Sequence, residues 1–436
     1  MDKLKCVIYA PIDTYSGYGA HSRDKVKALI ELYKDEWDIR IISCAWGNTP
    51  FGFINDHKEE WGFLANHILQ QQLSYQPDIM FWITIPAEAQ VWGKWNCLIT
   101  AGIETTVCDA SWIKGVNRMN LTLASSNHSK NVFESSKFQV KNPQGQVVEN
   151  IELNKPVEVV FEGIKTEVYK HLEPKEITSI DLSEIKEDFC YLFVGHWIQG
   201  VEDRKGVSTL IRAFYETFKN KPNTPALILK TSGAGSSYMD KREILKKIKD
   251  IRETIVAKTL PTIYVLHGEF NDAEMNEIYN HPKVKAMVSL TRGEGYGRPL
   301  AEFSQSKKPI IVSNWSGHLD FLHPDYTYLI SGEIKQLHPS SVVPNMLLAE
   351  SGWFYPNVQD VNKTLLEVYN NYAEAKVNGK RNGHRIKTEF SYEKMKERMK
   401  EVFTKYIPEF PKQVELKLPQ LKKIELPKKP EPQPQQ

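Results

Sequence analysis

The sequence predicts an α/β protein that is built from two halves, each containing a parallel β-sheet. Short apolar, strand-like runs recur along the chain and alternate with helical segments, which is the order of elements in parallel α/β units. The chain has 436 residues, too many for one ordinary hydrophobic core, so two or three domains are expected. Charge and proline content increase over Leu172–Asp188, where we place the linker between the halves.

The first half begins with an apolar strand at Lys5–Ala10, which leads through a glycine-containing turn into a helix from about Ala20 to Leu32. Ile39–Cys44 is the second strand. The segment that follows, residues 46–61, is rich in glycine and aromatic residues and is long enough to be an insertion or a lid. The other elements predicted for this half are strands at Ile79–Thr84, Asn96–Thr100, Leu121–Ser126 and Val157–Phe161, and a small hairpin over Phe138–Val148.

The second half repeats this alternation. Its helices are predicted at Val207–Phe218 and Lys241–Ala257, and the pattern is again helical from Val358 to about Ile407. Residues 408–436 are rich in proline and lysine and have little to bury, so this tail is predicted to be extended or disordered. The strands predicted for this half are Phe189–Val194, Ala226–Lys230, Thr262–Leu266 and Val284–Leu290.

The composition argues against several classes of protein. The formal net charge of +2 is too small to predict a nucleic-acid or membrane partner by itself. The five cysteines form no C-x-x-C pair, which indicates reduced thiols and neither a disulfide framework nor a zinc site. No apolar run reaches the ~20 residues of a transmembrane helix, and the N-terminal apolar segment is too short for a signal peptide. We therefore expect a cytoplasmic protein.

The most informative segment is Glu294-Gly-Tyr-Gly-Arg-Pro-Leu-Ala-Glu302, which follows the strand predicted at Val284–Leu290. A glycine-rich turn leads here to a proline that marks the start of a helix. Backbone N–H groups at a helix start favour a phosphate, and carboxylates favour hydroxyl groups. Ligands of parallel sheets bind beyond the carboxyl ends of the strands, so the segment predicts a pocket for a ligand with both groups. The alternative is a tight strand–helix turn with two solvated acids.

Together with Pro309-Ile-Ile-Val-Ser313, this segment resembles the E-x7-E signature of the retaining glycosyltransferases of the GT-B fold, in the large family often called family 4. The resemblance extends over residues 5 to about 407 and is strongest over 189–320. It implies the GT-B fold, in which two Rossmann-like domains face an interdomain cleft. More weakly, the chain is similar to glycosyltransferases of tailed phages, some of which glycosylate modified bases in DNA. Such a member would act in the host cytoplasm.

The resemblance also implies a domain organisation. Residues 1–172 would form the acceptor-side domain and residues 189–385 the domain that binds a nucleotide sugar, with the linker at 173–188. Residues 386–407 would form a helix that crosses back onto the first domain, followed by the tail at 408–436.

A second segment carries cations. Val194–Gly206, which precedes an amphipathic helix, is similar to the family's second donor motif. Lys205 matches the lysine that neutralises the nucleotide diphosphate, where a fixed cation suits a leaving group that gains negative charge. The arginine that usually follows the first glycine of this motif is replaced by His196. Either His196 or Arg204 takes over part of its role. The alternative is a solvated basic loop.

The resemblance assigns a set of donor-binding residues. Glu302 would hold the ribose hydroxyls and Glu294 the hydroxyls of the transferred sugar, while Lys205 would stabilise the departing diphosphate, which makes Glu294 and Lys205 the expected catalytic residues. The turn Ser16–Gly19 opens a helix after the first strand, and its glycines let a ligand or a neighbouring domain approach closely, or form a plain tight turn. The full set is Gly17, Gly19, His196, Arg204, Lys205, Glu294, Gly295, Tyr296, Gly297, Arg298 and Glu302.

The sequence leaves the acceptor open among a glycan, a lipid, a protein and a modified DNA base. Glu104 lies at the strand end where many relatives carry a histidine, so it is the candidate contact on the acceptor side. Eight of the lysines after residue 393 predict either a basic strip suited to DNA phosphates or to an anionic membrane, or a solvated face that glutamates interrupt. These eight lysines are at positions 394, 396, 400, 405, 412, 417, 422 and 423.

The sequence contains no H-x-x-x-H pair and no Asp-x-Asp, so we expect metal independence. The resemblance implies transfer with retention of configuration, without a cofactor and with a nucleoside diphosphate sugar as co-substrate. Two alternative functions stay open: a GT-B epimerase or phosphorylase, and a non-catalytic subunit that binds a sugar nucleotide or a glycan.

Overall fold

The structure, a computed structural model, describes residues 3–198, 202–233, 235 and 237–410. In this part of the chain, the main elements are two six-stranded sheets, and all neighbouring strands within each sheet are parallel. The predicted α/β class with two Rossmann-like halves is therefore confirmed. The predicted tail lies outside the described residues from Pro411 onward.

The elements of the N-terminal half follow the predicted order. Its strands are β1 (Leu4–Ala10), β2 (Trp37–Ser43), β3 (Ile79–Ile83), β4 (Trp95–Thr100), β5 (Leu121–Ala124), β6 (Phe138–Lys141), β7 (Val147–Ile151) and β8 (Val157–Val159). Its helices are α1 (Gly17–Tyr33), α2 (Phe53–Asp56), α3 (Lys58–Trp61), α4 (Ala110–Asn117) and α5 (Asn127–Ser135), with 3-10 helices at Gly62–His67 and Pro86–Glu88. The strand order in the sheet is β2-β1-β3-β4-β5-β8, while β6 and β7 form the predicted hairpin.

The C-terminal half contains the second sheet. Its strands are β9 (Cys190–Val194), β10 (Ala226–Lys230), β11 (Ile263–Leu266), β12 (Val284–Ser289), β13 (Ile310–Ser313), β14 (Tyr328–Ile330), β15 (Gly332–Gln336) and β16 (Gly352–Pro356). Its helices are α6 (Val207–Phe218), α7 (Tyr238–Glu253), α8 (Asp272–Asn280), α9 (Arg298–Ser304), α10 (Val358–Asn370), α11 (Tyr372–Glu389) and α12 (Tyr392–Tyr406). Short 3-10 helices lie at Pro174–Glu176, Gly317–Asp320, Pro324–Tyr326 and Pro339–Ser341.

The second sheet has the order β11-β10-β9-β12-β13-β14, which reverses direction between β9 and β12. In sheets of this kind, ligands bind at the carboxyl ends of the strands beside the reversal. The loop from β9 to α6 contains Lys205, and the loop from β12 to α9 contains Glu294. The topology therefore brings the two predicted catalytic residues to the same point of the sheet.

Buried apolar runs predict the strands of the two sheets well, whereas the hairpin of β15 and β16 is not predicted. The residues of β10 from Ala226 to Leu229 are fully buried, and this strand has the predicted bounds. By contrast, β15 is exposed along its whole length and pairs with β16 in an antiparallel hairpin that the pattern does not predict. An exposed strand of mixed polarity lacks the alternation that identifies a half-buried one.

The helix α12 packs against the N-terminal half. Its apolar residues, among them Met395, Met399 and Phe403, belong to the same hydrophobic cluster as β1 and β3. Lysines on this helix pair with carboxylates, as Lys396 does with Glu31 and Glu393. The described part of the predicted basic strip is therefore largely neutralised by its neighbours. Its lysines at 412, 417, 422 and 423 lie outside the described residues.

Candidate active site

The loops after β4, β9 and β12 meet between the two halves. Glu104 follows β4, and its carboxylate lies 3.3 Å from Nη1 of Arg204 in the loop after β9. Gly293 follows β12 and packs directly on the backbone of Glu104, so a Cβ atom at Gly293 would lie 2.0 Å from the Glu104 carbonyl oxygen. These contacts form a narrow junction at the reversal point of the second sheet, where parallel sheets bind their ligands.

Glu294 lies at the centre of this junction and is only 8% exposed. Its carboxylate accepts a hydrogen bond from Lys205 Nζ at 2.6 Å and another from Arg204 Nη1 at 3.2 Å. Burial opposes ionisation, but the charges of Lys205 and Arg204 outweigh it and lower the pKa of Glu294 to about 2. Glu294 is thus an ionised carboxylate held between two cations. A negatively charged ligand could take the place of this carboxylate beside Lys205 and Arg204.

The backbone around Glu294 is held by a serine and a glycine. The Glu294 N–H donates to Ser316 Oγ at 2.9 Å, and the Gly317 N–H donates to the Glu294 carbonyl oxygen at 3.0 Å. Gly297 adopts the left-handed conformation, with φ of 101°, directly before α9. A residue with a Cβ atom disfavours this conformation, so Gly297 allows the turn that leads into the helix.

Of the two residues considered for the missing arginine, Arg204 lies on the Glu294 carboxylate and His196 does not contact it. His196 Nδ1 lies 3.0 Å from the Ser232 hydroxyl. Desolvation and the nearby charges of Lys230 and Lys205 lower the pKa of His196, which favours a neutral ring at pH 7. The geometry therefore pairs Lys205 with Arg204 as the cations of the cluster.

Glu302, the second glutamate of the signature, belongs to a different ion cluster. Its carboxylate accepts from Arg298 Nε at 2.8 Å and from the Tyr279 hydroxyl at 3.2 Å. Arg298 also pairs with Asp24 of α1 at 2.6 Å, which connects the two halves. Burial, reinforced by the charge of Asp272, raises the pKa of Glu302 to about 7 despite Arg298. The two glutamates thus differ in their readiness to lose a proton.

A third group of charges at the junction does not follow from the sequence. Lys165 is buried and pairs with Glu60 of α3, at 3.0 Å, and with Asp272 of α8. Glu162 lies 3.3 Å from His21 of α1. The signal in the sequence is weak, because Glu162 and Lys165 lie shortly before the predicted linker in no pattern that indicates their partners.

The predicted glycines differ in what they contact. A Cβ atom at Gly295 would lie 2.4 Å from the carbonyl oxygen of Ala101, at the end of β4. One at Gly19 would lie 2.4 Å from the Thr14 carbonyl oxygen, whereas Gly17 has no atom within 4 Å of this position. Gly295 therefore permits the close approach of the two halves, and Gly19 a tight turn within its own loop.

Tyr296 does not present its side chain to the junction. Its ring is 2% exposed and lies 4.8 Å from the ring of Phe321 in the core of the C-terminal half. Any contribution of Tyr296 to a ligand site therefore comes from its backbone.

A histidine pair at the junction also escapes sequence reasoning. His128, in the first turn of α5, packs edge-on against Trp315 with ring centroids 4.8 Å apart. Burial and the neighbouring His318 lower the pKa of His128 to about 4. The helix begins directly after Ser126, whose hydroxyl accepts a hydrogen bond from the Ser129 N–H. The position of His128 against the other half follows only from the tertiary structure.

A cavity of about 490 Å³ opens beside this junction, between the segment that contains α2 and α3 and the start of α8. Its walls combine aromatic rings with carboxylates. One side consists of Tyr15, Phe53 and Trp61, and the other of Glu269 and Asp272. The cavity adjoins the ion clusters, because Asp272 pairs with Lys165. The lining also includes Pro50, Phe51, Asp56, His57, Glu60, Phe270, Asn271 and Glu274.

The described residues contain neither a candidate metal site nor a candidate membrane-spanning helix. No group of three or more histidine, cysteine, aspartate and glutamate side chains in this part of the chain has a geometry that could hold a metal ion. No described helix has both the length and the apolar character needed to cross a membrane. All five cysteines are unpaired.

Comparison of the structure with solved structures gives many matches over nearly the whole chain. HepE from Anabaena, in complex with UDP and glucose, has 11% sequence identity and a TM-score of 0.55, and the alignment covers 92% of this chain and 100% of HepE. A glycosyltransferase from Rickettsia africae has 12% identity and a TM-score of 0.63, with 93% and 99% of the chains covered. Sucrose-phosphate synthase from Thermosynechococcus elongatus has 11% identity and a TM-score of 0.60, with the same coverage of 93% and 99%.

These matches decide the fold. The chain has the GT-B fold. This confirms the fold class implied by the resemblance of the Glu294–Glu302 segment. No protein-family model matches the sequence, and a search of curated protein sequences gives no match.

Proposed function

We propose that the protein is a retaining, metal-independent glycosyltransferase that uses a nucleoside diphosphate sugar as its donor. The observation that carries this proposal is the pair of cations, Lys205 and Arg204, on the buried carboxylate of Glu294 at the reversal point of a GT-B sheet. Solved structures with the same fold include HepE with UDP-glucose and a trehalose-6-phosphate synthase studied for glycosyl transfer with retention. UDP-sugars are therefore the first donors to test.

The proposed chemistry uses these charges in sequence. The diphosphate of the donor replaces the Glu294 carboxylate as the partner of Lys205 and Arg204. The bond between the anomeric carbon and the phosphate oxygen breaks, its electron pair goes to that oxygen, and the two cations stabilise the resulting charge. The acceptor hydroxyl oxygen bonds to the anomeric carbon from the same face, and its proton goes to the departing phosphate. Glu294, released from the cations, holds hydroxyl groups of the transferred sugar.

The aromatic cavity between the halves is the proposed site of the donor's nucleoside. Phe51 lines this cavity and is 53% exposed, so its ring offers a face to a base, and carboxylates accept hydrogen bonds from amino and hydroxyl groups. The Glu302 carboxylate, which we assign to the ribose hydroxyls, connects to this region through Arg298 and Asp24 on one side and Tyr279 on the other. Donor binding at Glu302 therefore requires that the Arg298 side chain move away from Glu302 and toward Asp24.

The donor assignment is tested by nucleotide release. The purified protein is incubated with a panel of nucleotide sugars, UDP-glucose first, and the release of nucleoside diphosphate is measured. Acceptors are screened by mass spectrometry with glycans, lipids, peptides and hydroxymethylated DNA. Lys205→Met and Arg204→Met are each expected to lower kcat/KM by about 100-fold, the loss typical of removing one group that stabilises transition-state charge.

Lys219→Met is the matched control for these variants, because Lys219 is a lysine of the same half that pairs with Glu216 and has no contact with Glu294. It is expected to retain activity within about threefold of the wild type, since no charge on Glu294 is lost. Equal losses in all three variants would mean that the removal of any positive charge lowers activity and that the two cations at Glu294 have no special part. Binding of the donor without turnover in any acceptor screen would instead support a non-catalytic subunit, and conversion of the donor alone an epimerase.

A further inference from the structure

A second cavity lies away from the candidate active site, on the outer surface of the C-terminal half. It is widely open to solvent and has a volume of about 660 Å³. Its walls are formed by α11 and by the 3-10 helix at Pro324–Tyr326. The lining residues are His323, Tyr326, Lys380, Arg381, His384, Arg385, Thr388 and Glu389. None of them lines the aromatic cavity, and none contacts Glu294, Lys205 or Arg204.

Buried contacts hold the walls of this basic cavity in place. Asn382 is 1% exposed, and its side chain accepts from the His323 N–H and donates to the Tyr326 carbonyl oxygen. The rings of His323 and Tyr326 stack with centroids 4.6 Å apart, and Arg381 lies over the Tyr326 ring at 5.4 Å. Arg385 donates to the Phe321 carbonyl oxygen. These contacts hold the His323–Tyr326 segment against α11, while Lys380 and Arg381 stay exposed.

The charges that line the cavity are mostly positive and incompletely neutralised. Among the described residues, Glu389 is the acidic group in the lining, and it pairs with Arg385 at 3.2 Å. Neither Lys380 nor Arg381 forms an ion pair or a side-chain hydrogen bond within the described part of the chain. This differs from α12, where Lys394, Lys396, Arg398 and Lys405 pair with carboxylates. The unpaired cations converge on the cavity and attract an anion.

The arrangement favours a phosphoryl group over a carboxylate or a plain chloride ion. Arginine offers a planar fork of N–H donors that matches phosphate oxygens, and lysine adds a movable charge. His384 and Nε2 of His323 supply further nitrogen atoms for hydrogen bonds, while Nδ1 of His323 accepts from the Asp325 N–H. The volume of the cavity exceeds that of a bare phosphate, and the Tyr326 ring gives one wall on which a sugar or other ring can pack.

We propose that the basic cavity is a binding site for a small phosphorylated ligand, with Lys380 and Arg381 as the groups that bind the phosphoryl oxygens, while Arg385 stays engaged with Glu389 and the Phe321 carbonyl oxygen. The ligand has two chemical sources, a sugar phosphate or free inorganic phosphate, and both use the same cations. The proposal does not depend on the transferase activity, because the cavity and the candidate active site have no residue in common.

The test uses isothermal titration calorimetry with the full-length protein at low ionic strength. The probes are inorganic phosphate, glucose 6-phosphate and glucose. We expect the two phosphorylated probes to bind and glucose not to bind. In a Lys380→Ala/Arg381→Ala double variant, the affinity for both phosphorylated probes falls at least about tenfold, as expected for the loss of charged hydrogen bonds. Both side chains are exposed, so the variant is expected to fold, and its circular dichroism spectrum checks this.

Lys376→Ala is the matched control, because Lys376 is exposed on the same helix one turn before Lys380 and does not line the cavity. It retains wild-type affinity if the cavity binds the ligand. Tighter binding of glucose 6-phosphate than of phosphate assigns the source to a sugar phosphate, and equal binding assigns it to free phosphate. Absence of binding by both probes overturns the proposal. So does an equal loss in the Lys376 variant, which would reveal only the general positive charge of α11.

Discussion

Replacing Glu294 by glutamine removes one negative charge from the junction and leaves the size of the side chain nearly unchanged. In the wild type, Lys205 at 2.6 Å and Arg204 at 3.2 Å outweigh the effect of burial and lower the pKa of Glu294 from 4.5 to about 2. The ionised carboxylate therefore stabilises the folded protein by about 3 kcal/mol at neutral pH, at about 1.4 kcal/mol for each tenfold change in proton affinity. Glu294→Gln loses this contribution.

The loss can be expressed as a change in melting temperature. Unfolding entropies of about 2.1 cal/mol/K per residue apply to globular proteins. For a chain of 436 residues, a loss of about 3 kcal/mol then lowers Tm by about 3–4 °C. The measurement is thermal unfolding of both proteins by circular dichroism and calorimetry between pH 3 and pH 8.

The pH dependence provides the sharper test. Because the folded pKa is below the unfolded one, the stabilisation is fully present above pH 4.5 and is lost as the pH falls toward 2. The Tm difference between wild type and Glu294→Gln is thus constant from pH 8 to about pH 5 and shrinks to less than half at about pH 3. Glu393→Gln is the control, because its carboxylate is 66% exposed and pairs with Lys396 on the surface. It lowers Tm by less than about 1 °C.

Two results would refute this reasoning. If Glu294→Gln melts at the wild-type temperature at pH 7, the ion cluster does not stabilise the junction. If the difference is present but does not shrink on acidification, the loss comes from altered packing and not from the charge of Glu294. Nucleotide release by the same variant adds an independent measurement, since a variant that melts lower yet turns over donor at the wild-type rate contradicts the catalytic assignment.

Three other changes have expected outcomes. Burial raises the pKa of Glu302 to about 7, so the stabilisation by its protonated form is present below pH 4.5 and lost as the pH rises through 7. Glu302→Gln therefore melts at a higher temperature than the wild type at pH 8. The difference in Tm disappears toward pH 4.5 in the same unfolding experiment. Gly295→Ala places a methyl group 2.4 Å from the Ala101 carbonyl oxygen and should lower both Tm and donor turnover. Gly17→Ala is the control, because there is open space at that position, and it should leave Tm within about 1 °C of the wild type. Equal effects of the two variants on Tm would count against the close packing of the two halves. Addition of EDTA should leave nucleotide release unchanged, and a loss restored by added divalent metal would contradict metal-independent transfer.

The pattern of apolar runs determines the fold class because buried parallel strands need continuous apolar sequence. The runs at Ala226–Lys230 and Val207–Phe218 predict β10 and α6 with the observed bounds. The hairpin of β15 and β16 is not predicted, because an exposed strand carries no such requirement. Local capping also escapes the pattern: α1 begins at Gly17 rather than near Ala20, because the Ser16 hydroxyl accepts a hydrogen bond from the Gly19 N–H.

Some features of the candidate site also follow from the sequence, and others follow only from the structure. The sequence alone determines which chemical groups are available: the Glu294–Glu302 turn, the lysine at 205 and the glycines that shape the loops. The sequence leaves open whether His196 or Arg204 lies beside Lys205, because both residues belong to one loop and the sequence does not predict the conformation of that loop. The structure pairs Arg204 with Glu294 and Glu104.

Only the tertiary structure decided how the charges are paired across the two halves. Arg298 with Asp24, and Lys165 with Asp272, join residues that are far apart in the chain. The strand and helix patterns of the sequence indicate which residues are buried locally. They do not indicate which residue of another segment will pair with a buried charge. Ionic partners come from whichever loops the sheet topology brings to one edge, so the sequence determined the fold and its reactive groups, and the folded arrangement of the two sheets determined their charge states.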